Sequence, residues 1–226
     1  MESLRHSVAA DPRERAEMNV LLEATDQGSA CLVRAKIEGG ANPDAVVDKA
    51  HPPYARRRDG RDWAKLDGRS ALYFACWSAD LTIARLLLEA GASTELRLTV
   101  LGETVLMVIA GLSAHLPAQG IPAAKLLLDY GAEVNAVNDI GLTPLMGAAQ
   151  NGSTAMVETL LARGANVHMK DTDGDNALVY AVDQGQLDAA RALLEAGADA
   201  DSTDGKSDTV AKSAVIRENA PMLELL

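Results

Sequence analysis

Leucine-rich stretches return along the chain at a regular spacing, and each closes on the dipeptide Gly-Ala. Leu86–Leu88, Leu126–Leu128, the pair Leu160 and Leu161, and the pair Leu193 and Leu194 all precede such a dipeptide. The dipeptides begin at Gly40, Gly91, Gly131, Gly164 and Gly197. Apolar residues gathered on one face of a short helix, followed by a Gly that can take a left-handed cap, predict a helix end at each point. The gaps are 51, 40, 33 and 33 residues, and removing 33 from the two irregular ones leaves 18 and 7, which fall on visible insertions. The underlying period is therefore 33. Upstream of the leucine helix a second apolar stretch ends in a break, at Gly28, Gly152 and Gly185. Thr143-Pro144 suits the start of such a stretch, because Thr caps free N–H groups and Pro sits in a first turn without losing a hydrogen bond. Each unit reads as helix, turn, helix and extended finger. One such pair cannot bury both helical faces, so neighbouring units must stack.

The unit GLTPLMGAAQNGSTAMVETLLARGANVHMKDTD from Gly141 and its successor GDNALVYAVDQGQLDAARALLEAGADADSTD carry the pattern G-x-T-P-L-x-x-A-A-x-x-G, a leucine-rich helix and then G-A-x-V. In this the chain resembles the ankyrin repeat family, a 33-residue repeat with a T-P-L-H signature. Weaker copies are GRSALYFACWSADLTIARLLLEAGAS from Gly68, GETVLMVIAGL with IPAAKLLLDYGAEVN from Gly102, and NVLLEATDQGSACLVRAKIEGGAN near the start. A partial copy, TVAKSAVIRENAPMLELL, places Met222 66 residues, or two periods, after Met156.

The resemblance implies an all-α fold, an ankyrin-repeat solenoid of about six stacked helix-turn-helix units with finger loops. It implies a single domain over residues 1–226: an N-terminal cap unit 12–48, an extended finger insertion 49–67, four central units over 68–204 (68–100, 101–138, 139–171 and 172–204), and a truncated C-terminal cap 205–226. Asp11-Pro12 reads as the start of the first cap helix. The family's His after T-P-L is replaced by Tyr73, Met107, Met146 and Val179, so its hydrogen bonds to the neighbouring turn must be missing or replaced.

Composition agrees with helices: aromatics are only 3% of the chain while the apolar fraction is 48%, and a β-sandwich draws on more Tyr, Phe, Trp and Thr than that. With 21 Lys and Arg against 32 Asp and Glu, the net charge is −11. That charge repels phosphate backbones and anionic membrane surfaces, so no nucleic-acid partner is expected. MESLRHSVAADPRERAEM lacks the apolar stretch of a signal peptide, and no run approaches the roughly 18 residues of a membrane span. A cytoplasmic protein, monomeric when unbound, is the expectation. Cys31 and Cys76 form no C-x-x-C pair, and each is expected to be a small buried hydrophobe in a reducing compartment.

Several segments carry residue types found at known chemical sites. Gly205-Lys206-Ser207 resembles the end of a phosphate-binding loop, but Ala200 stands where that motif needs Gly, and Asp199, Asp201 and Asp204 would repel a nucleotide. Asp171, Asp173 and Asp175 have the spacing of the first ligands of a calcium loop, but Asn176 replaces the required Gly and Val182 the bidentate acid. His6, His51, His115 and His168 are scattered without zinc spacing. No catalytic residue, metal or cofactor is expected.

The 18 extra residues of the longest gap fall within a segment that includes KAHPPYARRRDGRDWAKLDG and is locally basic within an acidic chain. Tyr54, Arg56, Arg57, Arg58 and Trp63 are of the types that dominate interface energies, so an elongated recognition finger is expected there. The plainer alternative is a solvated loop tacked down by Trp63. The second insertion lies within GLSAHLPAQGIP, where Gly and two prolines predict a loop without function.

Groove-facing positions in the family flank the finger Gly and precede the Gly between the helices. The resemblance assigns these to Asp139, Ile140 and Leu142, to Lys170, Thr172, Asp173 and Asp175, to Trp77 and Ser78, to Gln150 and Asn151, and to Asp183 and Gln184. Trp77 is the sharpest of them, a large side chain that packing does not require. From Asp171 to Asp208 ten acidic residues face two basic ones, which either keeps the array soluble or steers a partner with a basic surface. The resemblance thus implies a non-catalytic protein–protein interaction module, adaptor or inhibitor, and charge and size suggest an immunity or antitoxin-like protein. The alternative is a regulatory or structural ankyrin fragment of a larger protein, since the chain stops within its last helix; an enzyme is the remote alternative.

Overall fold

The computed structural model describes residues 20–47, 68–98, 101–112, 117–202, 209–216 and 220–226. The chain divides into two compact units, Met1–Val100 and Leu101–Leu226. The described residues are helical apart from turns, finger loops and isolated bridge residues, with no strand. The fold is the all-α helical repeat that the period implies.

In the first unit the described helices are α1 (20–26), α2 (Ala30–Glu38), α3 (Ala71–Trp77) and α4 (Leu81–Glu89). Helices α2 and α3 both pack on α4, and Leu21, Leu22, Val33, Leu72, Phe74, Ile83 and Leu87 are buried. Asp11 and Pro12 lie outside the described residues, as do residues 48–67, which take in the whole of the first insertion. The two chain ends at that insertion are paired. Val47 N–H donates to the Arg69 carbonyl and Gly68 N–H to the Val47 carbonyl, each at 2.9 Å, and Val46 faces Ser70 in an antiparallel bridge.

The second unit holds α5 (Val105–Leu112), α6 (Pro117–Asp129), α7 (Pro144–Gln150), α8 (Thr154–Ala162), α9 (Ala177–Asp183), α10 (Leu187–Glu195), α11 (Val210–Ile216) and α12 (Ala220–Leu225). They form two layers. The first helix of each repeat packs on the first helix of the next, α5 on α7, α7 on α9 and α9 on α11. The second helices do the same, α6 on α8, α8 on α10 and α10 on α12. The first row is short and almost wholly apolar, and five of the seven residues of α7 are buried. Met156 and Met222, two periods apart, are both fully buried.

Four of the first helices, α3, α5, α7 and α9, open on a buried side-chain cap. Ser70, Thr104, Thr143 and Asn176 accept the backbone N–H of Tyr73, Met107, Met146 and Val179 at 3.1, 3.4, 3.2 and 3.0 Å, which satisfies one free donor of the first turn. The recipients are the four positions where the family's His is missing. In the second unit the fingers are tied by main chain: Asp139 N–H donates to the Leu101 carbonyl at 2.9 Å and Thr172 N–H to the Ile140 carbonyl at 3.1 Å.

Three expectations need correction. The stretch GLSAHLPAQGIP is not a loop throughout, because α6 begins at Pro117 and runs through Gly120 and Pro122; residues 113–116 lie outside the described residues. Counted back from Gly131, the repeat-length helix starts at Ile121, as α8 starts at Thr154 before Gly164. Pro122 therefore sits in the first turn that the repeat prescribes, and the inserted residues add one further turn in front of it. Pro122 is exposed, and it has no N–H to give to the turn in front of it.

Cys31 is exposed while Cys76 is buried. Cys31 is the second residue of α2, a helix whose only buried residue is Val33. Burial pushes the Cys76 thiol up to about 12, which makes it a packing residue with no thiolate character near neutrality.

The break between helices does not always use glycine. Ala79, at the position of Gly152, has φ 57°, the single described non-Gly residue in the left-handed region. A left-handed Ala costs about 1–2 kcal/mol, and the entropy that Gly adds to the unfolded chain costs about 0.4–1 kcal/mol. The first term is larger, so Ala79→Gly is expected to stabilise by about 0.5–1 kcal/mol. An unchanged or lowered urea midpoint would show that the strain is already relaxed.

Candidate functional site

The sequence-assigned residues fall into separate groups. Tyr54, Arg56, Arg57, Arg58 and Trp63 lie outside the described residues. In the second unit, Asp139, Ile140 and Leu142 occupy one finger and Lys170, Thr172, Asp173 and Asp175 the next. Thr172 joins the two fingers, because its hydroxyl as well as its N–H donates to the Ile140 carbonyl, both at 3.1 Å.

Two side chains one period apart shape these fingers. The Asn138 Oδ1 accepts the N–H groups of Ile140 at 3.1 Å and Leu142 at 2.9 Å. The Asp171 Oδ1 accepts those of Asp173 and Asp175, both at 2.9 Å. Such Asx contacts fix a turn without a regular ladder. They leave Asp139, Ile140, Lys170, Thr172 and Asp173 exposed at the tips, with Leu142 and Asp175 half-buried.

The second oxygen of Asp171 is also engaged, since the Tyr180 hydroxyl donates to its Oδ2 at 2.6 Å. Asp171 is therefore a framework residue and not a free ligand. Among the described residues no group of three His, Cys, Asp or Glu is placed to hold a metal. Lys206 of the phosphate-loop-like string lies outside the described residues.

Tyr180 is raised well above its ordinary value near 10, first by desolvation, then by the Asp171 hydrogen bond and the nearby carboxylates of Asp171, Asp175 and Asp173. A group whose folded pKa is raised contributes stability below its unfolded pKa and loses it as pH rises towards the folded one. The advantage of wild type over Tyr180→Phe is therefore expected to be full at pH 8 and to shrink above pH ~10. Urea midpoints of both proteins at neutral and alkaline pH measure this, and a constant difference would contradict it.

The ends of the first helices supply the second group. Gln150 and Gln184 are exposed, Asn151 and Asp183 half-buried. Asn151 is committed locally, its Nδ2 donating to the Gly147 carbonyl at 2.9 Å. In the first unit Ser78 is exposed and bends back, its Oγ donating to the Phe74 carbonyl at 2.7 Å. Trp77 is half-buried, its ring 5.7 Å from that of Tyr73 and tilted by 33°. It is thus partly a packing residue.

Three residues that sequence reasoning passed over belong beside these. Leu101 is 45% and Val137 37% exposed, next to Ile140 at 40%. Counting back from the finger glycines pairs Leu101 with Ile140, since Gly102 matches Gly141. The same register pairs Arg69 with Leu142, and the Arg69 guanidinium carbon lies 4.7 Å over the Tyr73 ring. Charge is uneven as well: Leu101–Leu226 holds 17 acidic and 7 basic residues, Met1–Val100 15 and 14. No helix among the described residues is long and apolar enough to cross a membrane.

A family model described as ankyrin repeats in three copies matches residues 114–204, and one described as ankyrin repeat matches 67–97, together more than half of the chain. The chain is also similar to the B-cell lymphoma 3 protein homolog of Mus musculus, 33% identical over 105 residues. That match takes in 45% of this chain and 22% of the mouse protein, so the chain spans about a fifth of that relative's length. The 33-residue register, the stacked helix pairs and these matches coincide, and the chain belongs to the ankyrin repeat family.

Proposed function

We propose that this chain is a non-catalytic adaptor or inhibitor that binds a partner protein through its finger tips and the ends of its first helices. Ankyrin repeats generally mediate protein–protein interaction. The observation that carries the finer reading is the pair of joined fingers in the second unit, which present Ile140 beside Asp139, Asp173 and Lys170 on rigid Asx turns. Apolar anchors rimmed by charge on a preorganised frame suit a protein surface.

The acidic balance of the second unit favours a partner with basic patches, an inhibitor masking a basic effector in the manner of an immunity or antitoxin protein being one such role. Residues 1–226 act as a single ankyrin-repeat domain, monomeric when unbound and cytoplasmic, with the basic segment 49–67 as an additional contact.

A photo-crosslinking residue at Ile140 tests this, with Glu158 on the exposed face of α8 as the control position. Cross-links to one protein from Ile140 and none from Glu158 are expected. Association should then slow with added salt, as exposed charges are screened over about 8 Å at physiological ionic strength. The double substitution Asp139→Asn with Asp173→Asn should lower the on-rate at low salt while the fold is kept, because Asp171 is left in place. Cross-links from Glu158 alone, or an on-rate indifferent to salt and to both substitutions, would remove the finger tips from the interface.

A further inference from the structure

Among the described residues of the first unit, Arg69 is a cation that no carboxylate answers. Arg69, just before the α3 cap, lies with its guanidinium over Tyr73, and the Tyr73 ring in turn neighbours Trp77, so the three side chains, spaced four residues apart, form a ladder leading onto α3. The Arg69 main chain is pinned by the 2.9 Å bond from Val47, which fixes where the ladder begins. The side chain is half-buried, and its Nε is buried with no hydrogen-bond partner. A ring face attracts the positive charge but accepts none of the five N–H bonds in their own plane. Among the described residues no carboxylate pairs with this guanidinium, although the chain carries 32 acidic residues.

We infer that Arg69 and Trp77 form a recognition site for a glutamate or aspartate side chain of a partner protein, with an apolar neighbour of that acid resting on the Trp77 ring. Charge complementarity selects the acid, because the missing partner of a planar, donor-only group is an oxygen pair of opposite charge. The half-buried position strengthens the contact relative to a surface pair. Trp and Arg side by side are also the types in which binding energy concentrates. This site rests on the reading of the chain as a protein-binding module, but it predicts a partner segment of the opposite sign to the one that suits the second unit.

The test uses the full chain and two short capped fluorescent peptides of leucine, glycine and either glutamate or lysine, read by anisotropy at low salt. Arg69→Leu and Trp77→Gln copy Leu142 and Gln150, which the repeat already accepts at the matching positions, so both variants are expected to fold, as circular dichroism checks. Each should weaken the glutamate peptide about tenfold, the loss of one charge-assisted or aromatic contact. Arg69→Lys should recover only part of the affinity, since an ammonium cannot pair bidentately. The lysine peptide should be unaffected by all three substitutions. No binding of the glutamate peptide to wild type, or equal binding by wild type, Arg69→Leu and Trp77→Gln, overturns the site. If Ile140 still cross-links a partner in that case, the binding module stands and this site alone falls.

Discussion

Phe74→Ala is expected to cost about 3–5 kcal/mol of stability, the range for emptying a large aromatic position in a core. Phe74 is the only phenylalanine of the chain, is 1% exposed, and meets the Tyr73 ring edge-to-face at 5.2 Å. Its neighbours in α3 are buried from Ala71 to Cys76, so few side chains are free to move into the space. Against a total of about 5–15 kcal/mol for a typical domain, the loss is a large fraction. Chemical denaturation followed by far-UV circular dichroism measures it. Phe74→Leu keeps most of the volume and should cost less than about 1.5 kcal/mol. A loss below about 1 kcal/mol for the alanine variant would mean that the site collapses freely, contrary to the packing described.

Gly141→Ala is expected to cost about 2–4 kcal/mol, whereas Gly164→Ala should cost only about 1 kcal/mol. The two residues have similar backbone angles, φ 79° and 86°, so the left-handed penalty is common to both. Their surroundings differ. A Cβ on Gly141 would lie 2.8 Å from the Asp171 Cα and 3.0 Å from the Thr172 nitrogen, whereas one on Gly164 meets nothing within 4 Å. The obstacle at Gly141 is backbone, which cannot swing aside as a side-chain tip can. Making room separates the finger carrying Ile140 from the one carrying Thr172 and breaks the two bonds between them. Comparing the urea midpoints of the two variants isolates that contribution. Equal losses would mean that the fingers part without resistance.

The repeat itself was legible in the sequence because it depends on residues repeated in register, leucine before a left-handed glycine, and each such glycine has positive φ. Insertions were harder to read. Pro117, Gly120 and Pro122 suggested a loop, because local propensity scores each residue alone, whereas Pro122 falls in a first turn set by the distance to Gly131. Ala79 escaped for a related reason: packing of the helices on either side imposes a left-handed residue there, and no local signal distinguishes that alanine from any other. At the candidate site the positions could be listed from the family pattern but not their employment. Asp171, Asp173 and Asp175 read as three equal acids, yet Asp171 is consumed by two backbone donors and a tyrosine hydroxyl while Asp173 is exposed. Arg69 was overlooked because a cation next to a finger glycine is unremarkable until the ring beneath it is known.

The paired ends at Val47 and Gly68 have a consequence for how the family pattern tolerates change. Chain that leaves one repeat and returns between two hydrogen-bonded residues begins and ends at the same place whatever its length. Lengthening a closed segment is inexpensive, with each doubling adding only about 0.6 kcal/mol of closure entropy. Residues 48–67 are therefore inserted at a point where the register of Ser70, Tyr73 and the helices that follow is set by the neck alone. Natural variation and deliberate grafting can both exchange the contents of such a neck as a cassette, leaving the 33-residue spacing downstream untouched.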